Sequence, residues 1–505
     1  MSQVSSASGR RSIGDRVADA AVWAMAARFG VRAVNVLGLL VLARLLTPAD
    51  FGVAAMAMAV VLVAEVVTDF QFTAALVRKS DLRREDLDTA WTLNALAGLL
   101  TLGAIAAASG PIAQLLGRPE TAGALALTGL FAFFNSLRNP RFVEFTRRIS
   151  LQQSTVVLVI SKIAGVGTSI ALAMFWRADY WALIIGTLTG AAVRTALTYA
   201  YRPYLPTPRL SSARELFGFS GWLMAARAVQ ELNSQSDKFF LLARLDASAI
   251  GVYKMGQTLL RLPTTEVVRP LVRGLFPAFS RIRDDSERVA ASYLSAQQVV
   301  LMIGLPIGFG LPFIAEPLIS VALGAQWADA ALIIEYLAPI TALQMTVAGV
   351  EGLVMALDGT RRLFMRALLF LVIRVPLLLA GVMLGGLEGL LAARAATGLL
   401  FLGLNLQLIH RMIEVRPMQI FINAARSWGA AAAMIGALLA AIEWGPDAEA
   451  AALGALVLRL ACAGATYVLA HALLWELAGR PAGPERRLLS FAMRRLGAGR
   501  KALQP

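Results

Sequence analysis

The chain has 505 residues, 58% of them hydrophobic and only 16% charged, with a formal net charge of +15. Soluble domains hold about a quarter charged residues, so a soluble enzyme is excluded as the whole of this chain. A single cysteine, Cys462, excludes an internal disulfide and a thiolate metal cluster, and His410 and His471 are too few for a histidine-built metal site.

In chain order, Met1 to Asp15 is rich in Ser and Arg and has no apolar core beside a cleavage site. It reads as a cytoplasmic tail (1–17), not a signal peptide. Apolar runs long enough to cross a bilayer as helices follow at 18–44, 51–76, 87–108, 122–137, 152–175, 181–201, 215–242, 247–272, 289–313, 329–357, 362–384, 387–410, 418–443 and 450–477. The expected fold is an all-α polytopic membrane protein with about fourteen transmembrane helices. The segment 479–505 is a basic cytoplasmic tail, either an amphipathic surface helix or a solvated extension.

Charge sets the orientation. Alternate connections hold roughly thirty Lys and Arg against about four in the others, which places both termini in the cytoplasm. The positive charge is therefore a topology signal with affinity for anionic lipid, and no nucleic-acid partner is expected.

The run Ala43 to Gly52 recurs about two hundred residues later as Ala243 to Gly251, and weaker matches follow in step. Leu116-Gly117 answers Leu323-Gly324, and Arg147-Arg148 answers Arg361-Arg362. Six spans separate the two opening copies, so the repeats insert the same way round. The expected domains are an N-lobe at 18–202, a cytoplasmic linker at 203–214, a C-lobe at 215–412, and two further spans within 413–478.

Charges inside spans are costly, so they face a cavity or one another. Arg28, Arg32 and Asn35 share one helical face. Arg227, Lys254, Arg261 and Arg374 join them as candidate substrate-binding residues, with Arg194 and Arg394 alongside. Such a set suits an anionic ligand, above all a phosphate or diphosphate, because arginine's planar fork serves two oxygens at once. The other reading is ion pairing, for which Arg227 and Glu231 have the spacing. Glu65, Asp69, Glu231 and Glu351 are candidates for ion coupling or gating, or counter-ions to the cations. No nucleotide-binding loop, metal-ligand spacing, catalytic triad or cofactor motif is present.

The run Ala43-Arg44-Leu45-Leu46-Thr47-Pro48-Ala49-Asp50-Phe51-Gly52 resembles the start of the oligosaccharide flippases of polysaccharide and O-antigen biosynthesis. Asp81, Asp86 and Thr89-Ala90-Trp91-Thr92-Leu93-Asn94 fit the same pattern, as do Asp237, Ala243-Arg244-Leu245, Gly251-Val252-Tyr253, Phe276-Pro277-Ala278-Phe279-Ser280-Arg281 and Gly324-Ala325-Gln326-Trp327. These marks lie between residues 43 and 327. The resemblance implies the superfamily of multidrug and toxin extruders and lipid II flippases, with two parallel six-helix lobes in a V plus two C-terminal helices. It implies a non-enzymatic carrier of an undecaprenyl-diphosphate-linked oligosaccharide across the bacterial inner membrane, working by alternating access. Membrane lipids, a polysaccharide polymerase and chain-length machinery are the implied partners. In related flippases cations of the first and eighth spans line the cavity; Arg28, Arg32, Lys254 and Arg261 fit that description here.

Two competing readings are an ion-coupled multidrug antiporter of the same fold and an integral polysaccharide polymerase or glycosyltransferase. The first calls for an acidic cavity, whereas cations outnumber carboxylates at mid-depth here. The second calls for a sizeable periplasmic loop or an acidic pair facing the periplasm, and neither is evident.

Overall fold

A computed structural model of the chain describes residues 13–68, 72, 76, 79, 81–115, 118–147, 151–213, 229–230, 232–234, 236, 245–444, 452–481 and 483–486. Among these residues every regular element is helical. Eight helical segments are long and apolar enough to cross a membrane, so the chain is a polytopic all-α membrane protein. The span expected over 215–242 lies almost wholly outside the described residues.

The chain divides into two compact units, Met1–Gly251 and Val252–Pro505. In the first, the helices are α1 (Ile13–Leu45), α2 (Pro48–Thr68), α3 (Arg84–Leu115), α4 (Ala122–Ser136), the short α5 (Val143–Arg147), α6 (Leu151–Phe175) and α7 (Tyr180–Tyr201). The principal packing pairs are α3 with α4, α6 with α7, and α1 with α6. Gly186 and Gly190 sit at the α6–α7 crossing, against Gly165, where small residues let two backbones approach.

Helix α8 (Ala247–Arg261) leads into the second unit, which holds α9 (Thr265–Arg273), α10 (Leu275–Ser280), α11 (Ser286–Ala322), α12 (Ala330–Gln344), α13 (Val350–Ala356), α14 (Thr360–Ile413), α15 (Pro417–Asn423), α16 (Ala425–Glu443) and α17 (Ala452–Leu477). Helix α11 packs on α12, α16 and α17. Its buried Tyr293 joins Phe279 of α10, Leu353 of α13 and Ile409 of α14 in one apolar cluster.

Several expected spans differ in detail. The run 247–272 is broken at residues 262–264, beside Pro263, which has no N–H to continue the helix. The run 329–357 is broken between Met345 and Gly349, where Gly349 takes φ 81°. The spans expected at 362–384 and 387–410 form two arms of α14, with non-helical backbone only at Gly385 and Gly386. Gly386 holds φ 55° and ψ −128°, a combination that glycine adopts at little cost.

The same order of elements occurs in both units. Helix α3, a 3₁₀ turn at Pro119–Thr121 and the 15-residue α4 correspond to α11, a 3₁₀ turn at Ala325–Trp327 and the 15-residue α12. In the second copy Trp327 is fully buried.

Candidate functional site

The two copies of the opening motif are helix starts that touch. Thr47 precedes α2 with Pro48 at its first position, and the Asp50 carboxylate accepts from the Thr47 amide at 3.0 Å and the Thr47 hydroxyl at 2.6 Å. This is an N-terminal cap with a carboxylate near the positive end of the helix. Asp50 also accepts from the Tyr180 amide at 3.1 Å and so ties α2 to α7. In the second copy Asp246 stands where Thr47 does and accepts from the Ala249 amide at 2.9 Å. A Cβ on Gly52 would overlap the Ala247 carbonyl, and a Cβ on Gly251 would overlap that of Pro48. Each glycine thus lies against the first residue of the other copy's helix, a reciprocal contact of local two-fold character.

The second set of family-like residues binds the chain after α7. Asp88, 1% exposed near the start of α3, accepts from the Tyr204 hydroxyl at 2.5 Å, the Thr207 hydroxyl at 2.6 Å and the Thr207 amide at 3.3 Å. Arg84 lies 3.8 Å from it. Thr92 and Thr89 accept from the amides of Arg209 and Ser212. Asp86 pairs with Lys79 at 2.9 Å. Trp91 donates to the Tyr199 hydroxyl, which donates to the Leu137 carbonyl, each at 2.8 Å. The segment 203–212 is therefore an extended strap fastened to the first turns of α3. Burial, reinforced by the hydrogen bond to Asp88, holds the Tyr204 phenol above its ordinary pKa.

The charged residues singled out from the sequence are distributed as follows. Arg32 is half-buried and Asn35 exposed on α1. Arg28 and Glu65 belong to α1 and α2, but their side chains lie outside the described residues, as do Asp69, Arg227, Glu231 and Asp237 entirely. Lys254 is half-buried on α8, and Arg261 is exposed in that helix's last turn. Glu351 lies 3.5 Å from the Arg366 guanidinium, which also donates to Asn405 and sits 5.4 Å from the Phe401 ring. Glu351 thus has a cationic neighbour on α14. Lys162, the one charged residue of α6, which packs on α1, is a further cation within a span that was not among the candidates, although its lone charge was the signal.

Arg374 and Arg394, from opposite arms of α14, line one cavity of about 150 Å³ with Thr341 and Gln344 of α12 and with Thr397. Arg374 is buried, its guanidinium 5.3 Å from the Phe370 ring. Gln344 donates to the Gly398 carbonyl at 3.3 Å, which holds its amide at the cavity wall. Aromatic walls with forked donors and hydroxyls are chemically matched to an anionic oxygen. The volume is about half that of the smallest cavities typical of drug-sized ligands, ~300 Å³, so a phosphate-sized group fits and a sugar chain does not.

Comparison with known proteins gives the family and the fold. Residues 41–332 match the family described as "Polysaccharide biosynthesis protein". The succinoglycan biosynthesis transport protein ExoT of Rhizobium meliloti is 28% identical over 314 residues, 61% of this chain and 63% of ExoT. The lipopolysaccharide biosynthesis protein WzxC of Escherichia coli is 24% identical over 351 residues, 68% of this chain and 71% of WzxC. The aligned stretch thus spans just under two thirds of ExoT's length. Among solved structures, the lipid II flippase MurJ in an inward closed conformation superposes with a TM-score of 0.70 at 13% identity, over 91% of this chain and 100% of its own. An inward-facing multidrug resistance transporter of the MATE family gives 0.55 at 13% identity, over 76% and 95%. At these identities the two structures share the fold. With more than half of its length inside the family match, this multi-pass chain belongs to the polysaccharide biosynthesis protein family.

Proposed function

We propose that the protein is a flippase, a carrier and not an enzyme, that moves an undecaprenyl-diphosphate-linked oligosaccharide across the bacterial inner membrane for polysaccharide biosynthesis. The family match over residues 41–332 carries this reading. Relatives bear the names of succinoglycan and lipopolysaccharide biosynthesis, which makes an exported-polysaccharide precursor the substrate class. The physical requirement is consistent: a diphosphate cannot cross hydrocarbon without a polar, cationic route. Arg28, Arg32, Asn35, Arg227, Lys254 and Arg261 are the proposed contacts of that route, and Arg374 beside Arg394 serves no more than one phosphate-sized group. Glu65, Asp69, Glu231 and Glu351 are proposed to gate or couple the cycle. Both termini lie in the cytoplasm on the charge bias of the connections.

The test is leaflet-resolved accumulation of the lipid-linked precursor in a deletion strain. Precursor held on the cytoplasmic face supports flipping. Precursor that reaches the periplasm and stays unpolymerised would transfer the chain to the polymerase step.

A further inference from the structure

Helix α11 carries three internal prolines, Pro306, Pro312 and Pro317. Proline has no amide hydrogen, so the carbonyl four residues before it loses its helical partner. Pro306 releases the Met302 carbonyl, and Pro317 releases that of Phe313. In a bilayer no bulk water replaces the lost donor. Both carbonyls are taken up by one neighbouring helix. The Tyr467 hydroxyl donates to Met302 O at 2.7 Å, and Arg459 Nη1 donates to Phe313 O at 3.0 Å. The two donors are 7% and 6% exposed.

Their spacing fits this task. Eight residues apart on α17, they share one face, and pairing the earlier acceptor with the later donor runs the helices antiparallel. At 1.5 Å per residue the acceptors are about 16 Å apart and the donors about 12 Å, and the long arginine side chain spans the difference. One turn beyond Tyr467, His471 Nε2 lies 3.2 Å from Glu485 Oε1, which also pairs with Arg426 of α16 at 2.9 Å. The segment after α17 is thereby fastened to α16 and α17.

We propose that α11 is a bending element of the transport cycle, and that Arg459 and Tyr467 of α17 are positioning residues which steady it by donating to the carbonyls that Pro317 and Pro306 leave without a helical partner. The two helices after the duplicated units, α16 and α17, then act as a brace on a deformable span. Proline is the ordinary cause of a sharp helix bend, and a helix that has two of its three proline-freed carbonyls answered from one outside helix is coupled to that helix. The bending role rests on the flippase reading; the donor–carbonyl pairing does not.

The experiment is a set of double variants in the full-length protein, purified in detergent. Tyr467→Phe and Arg459→Met each remove a donor and are expected to lower the unfolding midpoint by about 2 °C or more. Adding Pro306→Ala to Tyr467→Phe restores an amide for Met302 O and is expected to recover the midpoint. Pro317→Ala is expected to do the same for Arg459→Met. The crossed doubles, Tyr467→Phe with Pro317→Ala and Arg459→Met with Pro306→Ala, are expected not to recover. Equal behaviour of matched and crossed doubles overturns the pairing. Should Arg459→Met fail to fold, the Tyr467 set, which removes a single oxygen, decides alone.

For the bend, spin labels at Glu287→Cys and Ser320→Cys in a Cys462→Ser background report the end-to-end distance of α11. The matched doubles are expected to lengthen it and to lose polysaccharide export despite recovered stability. Full export with a straightened α11 overturns the role in the cycle. A wild-type gene that fails to restore export in the deletion strain counts against the flippase reading and leaves the melting pattern to judge the pairing.

Discussion

Asp88 is a buried carboxylate answered by three hydrogen bonds and a nearby guanidinium, all within one short stretch of structure. Hydrogen bonds to a charged group contribute about 1.5–3 kcal/mol each, and the strap rehydrates partly once released. Asp88→Ala is therefore expected to destabilise the first unit by about 2–4 kcal/mol, and limited proteolysis within 203–212 should quicken before the helices are cut. Uniform cleavage with no early nick in the strap would contradict this. Tyr204 adds a pH statement. Its phenol titrates above the ordinary tyrosine range because of burial and then Asp88. A folded pKa above the unfolded one gives a contribution that is complete below about pH 10 and lost as pH rises through the raised value. Protection of the strap should thus be flat from about pH 6 to 9, and Tyr204→Phe should lower it equally across that range. A steep pH dependence there would assign the strap's stability to another group.

At the scale of helices, the motif that repeats is a start signal, and its meaning is partly local. Thr47-Pro48-Ala49-Asp50 has cap chemistry at cap spacing, so the residues alone carry the start of α2, ahead of the apolar run expected from residue 51. The role of Gly52 was not, because the atom that forbids a side chain there is the Ala247 carbonyl, far along the chain. Gly52→Ala and Gly251→Ala are each expected to cost about 1–3 kcal/mol by overpacking, and the pair together should cost less than the sum, since one backbone shift relieves both. Thermal unfolding of the purified variants measures this, and strict additivity would refute the shared contact. The same division holds for the prolines. Pro306 marks a helix-weakening position in any sequence, but its consequence is read in Tyr467, on α17. Apolar runs and charge bias settle spans and turns because hydrocarbon acts on each residue independently. Which carbonyl, arginine or glycine meets which partner depends on tertiary packing, and a single sequence does not carry that. The turn of α14 lies between: two spans were foreseen, and Gly386 closes them with φ 55° and ψ −128°. Gly386→Ala should destabilise by about 1–3 kcal/mol, read as a lower unfolding midpoint, while Gly385→Ala at negative φ should be milder.

For the molecule as a whole, the proposed function requires carrying a doubly charged headgroup and a string of sugars past about 30 Å of hydrocarbon. The chain's own composition bears on how. Cations exceed carboxylates at mid-depth, yet several already have assigned neighbours: Arg366 has Glu351 and Asn405, and Arg459 has a backbone carbonyl. Positive charge in a span is therefore not by itself evidence of a substrate contact, and each residue has to be tried. The cavity at Arg374 and Arg394, of about 150 Å³, matches one phosphate-sized group. Arg28 and Arg32, one turn apart on α1, are the pair to try first. If each makes a charge-assisted hydrogen bond to the diphosphate as it crosses, together they stabilise that passage by about 3 kcal/mol or more, close to a hundredfold in rate. Arg28→Ala with Arg32→Ala should then reduce polysaccharide export by about that factor at unchanged membrane levels of the protein, with precursor accumulating on the cytoplasmic face. The charge-keeping Arg28→Lys with Arg32→Lys should recover part of it, because an ammonium supplies the charge without the fork. Export at the wild-type rate from the double alanine variant would remove this face of α1 from the path.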